Sequence, residues 1–142
     1  VKAVLLLSIV AAAALCPTRE TAAQARSKAQ VSCRPAAARL HYDCTIRLTD
    51  ARGQTPLAGA KLAVGADMPS MPMAHNIRPV EAAPTADPGV YEVRLKLEMH
   101  GDWALRIEVR APVRDRVIVP LRFDDKAVRP PDPSRAAPHR GH

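Results

Sequence analysis

The chain has 142 residues, 47% of them hydrophobic, and carries a formal net charge of +7. Such a charge invites a nucleic-acid reading, but one Trp, one Phe and two Tyr cannot assemble a stacking platform. The arginines are spread along the chain without a dense run, so a solvated basic face is expected and no nucleic-acid partner.

At the N-terminus, Lys2 precedes an apolar run from Ala3 to Leu15. The run is shorter than the roughly 20 apolar residues that a spanning helix needs. A small-residue site, Ala23-Gln24-Ala25, follows a polar stretch. This layout predicts a signal peptide over residues 1–25, cleaved near Ala25, and a periplasmic or secreted product with no stable membrane anchor. Cys16 closes the apolar run, yet the bulky Leu15 before it argues against lipoprotein processing there. Cleavage removes Lys2, Arg19 and Glu20 and leaves a net charge of +6.

Cys33 and Cys44 then remain, and an even count in an exported chain predicts a disulfide between them. Their ten intervening residues do not match the short Cys-x-x-Cys knuckle of zinc sites.

The folded domain is expected over residues 26–125, with residues 26–30 polar and loose. Leu40, Tyr42, Cys44, Ile46 and Leu48 alternate with polar residues, which is the period of a half-buried strand. Asp50-Ala51-Arg52-Gly53 is a turn by composition, and a short strand with Leu62 and Val64 inward follows. Another short strand over Ile77 to Glu81 contains Pro79, which suits an edge. Tyr91, Val93, Leu95, Leu97 and Met99 share one face of the next strand. Gly101-Asp102 is read as the turn, after which Trp103, Leu105, Ile107 and Val109 resume the inward face. A last strand runs from Arg116 to Phe123. About seven short strands and no helical period predict an all-β sandwich. From Lys126 the chain is rich in Pro, Arg and Ala, so residues 126–142 are expected to be a disordered tail.

Between two of these strands lies Met68-Pro69-Ser70-Met71-Pro72-Met73-Ala74-His75, with three of the four methionines inside six residues. Thioethers with an imidazole make a soft donor set that suits Cu(I). Fully extended at about 3.3 Å per residue, Met68 and His75 would lie roughly 23 Å apart, so a shared site requires the loop to fold back. Pro69 and Pro72 favour such turns. Met71 and Met73 would point to one side if locally extended. These two with His75 are the leading ligands, and Met68 is the weakest member, better suited to filling the core. From the far strand, parity turns Met99 toward the core and His100 away, so only one of the two can join easily. Trp103 is placed to cap a cation with its ring. The competing reading is that the methionines are flexible filler or an adaptable partner-binding surface without metal. An enzyme is not expected: Ser70 has no nucleophile elbow or base partner, and no phosphate loop is present.

Gly59-Ala60, Met68-Pro69-Ser70-Met71, Gly89-Val90-Tyr91 and Met99-His100-Gly101-Asp102-Trp103 fall in the order seen in the YtkA-like domain, a relative of FixH-like proteins. Over roughly residues 40–123 the chain resembles that family. The resemblance implies an immunoglobulin-like sandwich of exported or membrane-anchored bacterial proteins, associated with copper handling and assembly of copper-containing respiratory enzymes. It also favours Met99 over His100. The expected function is therefore an exported Cu(I)-binding carrier, buffer or delivery factor, with Met71, Met73, His75, Met99 and Met68 as metal residues. Its partner would be a periplasmic cuproenzyme, an oxidase assembly factor or an efflux component.

Overall fold

The computed structural model describes residues 27–133, and the expected signal peptide and the end of the expected tail lie outside them. The strands in chain order are β1 (Lys28–Pro35), β2 (His41–Thr49), β3 (Lys61–Asp67), β4 (Asn76–Pro84), β5 (Val90–Lys96), β6 (Gly101–Ala111), β7 (Asp115–Phe123) and β8 (Val128–Arg129). All neighbours pair antiparallel, in the order β1-β2-β5-β4-β3-β6-β7-β8. The fold is the expected all-β sandwich, wound so far that its sheet nearly closes. β4 makes the corner: it pairs with β3 over most of its length but meets β5 only through Ala83 and Pro84. At the other end, the Ser27 N–H donates to Asp115 Oδ2 at 2.5 Å and ties the start of β1 to β7.

Alternation explains the core. Tyr42, Ile46 and Leu48 of β2, Leu95 of β5, Leu105 and Ile107 of β6 and Phe123 of β7 are all buried, while charged residues take outward positions. Among the described residues no polar or charged residue is buried. Tyr42 and Phe123 meet edge to face at 4.8 Å, and the Tyr42 hydroxyl donates to the Asp124 carbonyl. Burial, with the nearby Asp124 charge, raises the Tyr42 phenol above its ordinary range.

Cys33 and Cys44 stand opposite each other in the β1–β2 register and are disulfide-bonded, as expected. β3 departs from simple alternation, since Leu62 to Ala66 are buried in succession. The outward positions are small, and the Arg106 guanidinium lies over Gly65, where a Cβ would come within 2.8 Å of Nη2.

The strand expected over Ile77 to Glu81 at an edge is longer, as β4, and lies between β3 and β5. Three further boundaries differ from expectation. Lys28, Ala29 and Gln30 are not loose but pair with Thr49, Leu48 and Arg47. The expected tail begins with an ordered hairpin instead: Val128 and Arg129 pair with Phe123 and Arg122 as β8. Asp124 builds that turn, its Oδ1 accepting the N–H groups of Lys126 and Ala127 at 3.1 and 2.9 Å. Finally β5 stops at Lys96, so the chain turns over residues 97–100 and Gly101 already belongs to β6.

Candidate metal centre

β3 and β4 close on each other through the pair Asp67 and Asn76, so the methionine loop spans residues 68–75. Its ends meet: the Met68 N–H donates to the His75 carbonyl at 3.3 Å. Inside it the Met71 N–H donates to Met68 O at 3.0 Å and the Ala74 N–H to Met71 O at 3.2 Å. The loop is thus a succession of tight turns, as its two prolines favour, and the fold-back that a shared site requires is present.

Turning the backbone cancels the simple parity of an extended segment. Met73 has a φ of 68° and is 96% exposed, whereas Met71 is 38% exposed. Met68, only 3% exposed, joins the core, and its Cε lies 3.2 Å from where a Cβ on Gly101 would sit. The expected pairing of Met71 and Met73 on one side of an extended segment therefore does not hold. Met68, expected as filler, does fill the core, at the end where β6 begins.

The turn over residues 97–100 arrives at the same pole. The Leu97 N–H donates to Leu40 O, and Met99 packs partly buried against the core while His100 is exposed. Trp103 is buried and donates Nε1–H to the Met99 carbonyl at 3.2 Å, fixing both the indole and the turn. His75 stands between the two loops. Its ring centre is 6.4 Å from that of Trp103, with the planes at 68°, and its Nδ1 hydrogen-bonds Glu98 Oε2. A carboxylate accepting from Nδ1 selects the neutral tautomer in which Nε2 carries the lone pair that a metal takes. A carboxylate behind a histidine is the common arrangement for orienting a metal-binding imidazole.

Glu98 was missed by sequence reasoning because its parity made it one more outward charge on β5. Its place next to Met99, in the turn that completes the pole, is the only sequence signal. Asp67 is not available as an acid or base partner to His75, since it pairs with Arg106, which also reaches Glu108 Oε1 at 3.1 Å.

Among the described residues no three His, Cys, Asp or Glu side chains gather as metal donors. The other side chains that accompany His75 at this pole are Glu98, Trp103, Met68 and Met99. One imidazole, buried Met68, partly buried Met99 and an indole ring suit a soft monovalent cation and not Ca, Mg or Mn.

The family model described as YtkA-like matches residues 28–108. The chain belongs to the YtkA-like family. Among curated proteins, none matches it. The matched span of this YtkA-like chain runs from β1 into β6, so it contains both loops of the pole and the disulfide, and it stops before β7.

Proposed function

We propose that this YtkA-like protein is an exported carrier, buffer or delivery factor for Cu(I), with no catalytic activity of its own. The ion is its cargo, recognised by the His75 imidazole and by thioethers of Met68, Met99 and Met71, with the Trp103 ring as a cation–π neighbour. One observation carries the reading: the loop folds back to set His75 against Glu98 and Trp103, at the pole where Met68 and Met99 already lie. The Cys33–Cys44 bond supports an oxidising compartment. An exported cuproenzyme, its assembly factor or an efflux component would receive the ion.

Trp103 is the single tryptophan and makes the test direct. Anaerobic titration of the mature protein with Cu(I) against a competing chelator is expected to show one equivalent bound, with a change in Trp103 emission. His75→Ala should weaken binding by about tenfold or more, the scale at which ligand and supporting residues act. Absence of stoichiometric binding, or wild-type affinity in His75→Ala, defeats the copper reading. A metal-free partner-binding module is the second reading, favoured by the solvent exposure of Met73.

A further inference from the structure

We propose that Met73 is the thioether through which Cu(I) enters and leaves the centre, with Met71 next in line, and that Met73 is not among the donors that hold the ion at rest. The proposal rests on the copper reading of the same pole.

Nothing in the fold calls for methionine at position 73. The side chain is 96% exposed and so contributes no burial. The backbone is in the left-handed region at φ 68°, which disfavours an L-residue with a Cβ and where glycine or asparagine is at home. A flexible apolar side chain is thus held out in water on a backbone conformation that disfavours it.

The other methionines of the loop give this position its meaning. Exposure falls from 96% at Met73 to 38% at Met71 and 3% at Met68. The same soft donor is repeated from solvent to core within six residues, on turns joined by the Met71-to-Met68 and Ala74-to-Met71 backbone bonds. His75 lies one residue beyond Ala74, held by Glu98. No charged side chain occurs from Met68 to Ala74, so the loop itself presents no charge to an approaching partner.

Cu(I) accepts few ligands and exchanges them associatively, the incoming donor binding before the outgoing one departs. An exposed thioether can bond to an ion still held by a partner's thiolate, thioether or imidazole, and Met71 and the buried donors then replace that partner's ligand. At each step one copper–ligand bond forms and one breaks, and the metal stays Cu(I) throughout. Run backwards, the sequence delivers the ion. The partner class that fits is a protein presenting soft donors at its surface.

The test separates rate from affinity. Met73→Ala and Met73→Leu, both at a solvent-exposed position, are measured beside the wild type and His75→Ala under anaerobic conditions. Equilibrium competition gives affinity, and stopped-flow transfer of Cu(I) to bathocuproine disulfonate gives the exchange rate. The expected result is affinity within about twofold of wild type with transfer slowed by about tenfold in both Met73 variants, as for a group that acts on the path between soft-donor sites. Affinity falling as far as in His75→Ala would make Met73 a resident donor and overturn the proposal. An unchanged transfer rate would make it a bystander and overturn it equally. Wild-type affinity in His75→Ala would instead defeat the copper reading itself, which keeps the two failures apart.

Discussion

His75 and Glu98 come from different loops, one joining β3 to β4 and the other β5 to β6, and the carboxylate of one holds the Nδ1 of the other. The imidazole of the methionine loop is thereby aimed by the turn that follows β5.

If the pole holds Cu(I) as proposed, Glu98→Ala should leave the fold intact and weaken Cu(I) binding by about 10-fold to 100-fold, the usual effect of losing the partner that orients a ligand histidine. Chelator competition measures the loss, and unchanged affinity would show that the contact does not position the ligand.

Met68→Ala should destabilise the protein by about 2–4 kcal/mol, because it removes a buried side chain from a packed end of the core. Gly101→Ala should also destabilise, by about 1–3 kcal/mol, since its φ of 142° suits glycine and the new Cβ would press on Met68 Cε. Because the two sites touch, the double variant should lose less than the sum of the singles, which urea unfolding can measure as a double-mutant cycle.

Met73→Gly should have the opposite sign. Relief of the left-handed backbone should stabilise the fold by up to about 1–2 kcal/mol, less the extra chain entropy of glycine in the unfolded state. A drop in the unfolding midpoint would contradict the view that this side chain is absent from the fold's stabilising contacts.

Closing the short loop between Cys33 and Cys44 should stabilise the protein by about 3 kcal/mol in the chain-entropy account. Replacing both cysteines by alanine should lower the denaturant midpoint accordingly, and added reductant should lower the wild type toward the same value.

The β8 turn should be acid-sensitive. The Ala127 N–H, and after it that of Lys126, hold the Asp124 carboxyl below its ordinary value of 3.8. A depressed carboxylate stabilises the fold above its unfolded value, and that contribution is lost as pH falls through the folded one. Hydrogen exchange at Ala127 should therefore quicken below about pH 4 relative to its intrinsic rate, and Asp124→Asn should remove that dependence.

The sandwich was legible because β2, β5 and β6 bury every second residue and put mainly polar or charged residues between them. Tyr42 to Leu48 and Trp103 to Val109 carry the fold class without help. The ends were not legible for a physical reason. Lys28 to Gln30 and Val128 to Arg129 are backbone-paired, and each stretch offers one partly buried apolar residue, Ala29 or Val128, too few for a period to be read. At the pole, the residue types were legible and their directions were not. Parity assigns sides only while the chain is extended, and neither residues 68–75 nor residues 97–100 are. Met73 thus turned outward, Met68 went into the core, and Glu98 left the row of solvent charges to meet His75.

Because β4 pairs with β5 only through Ala83 and Pro84, no backbone ladder joins these two strands from that corner to the pole. The contact between His75 and Glu98 is the clasp at the open end. If a ligand at His75 strengthens that clasp, thermodynamic reciprocity requires that whatever parts His75 from Glu98 loosens the ligand by the same free energy. If the pole holds Cu(I), parting His75 from Glu98 would thus loosen the ion as a partner's own donors take it up.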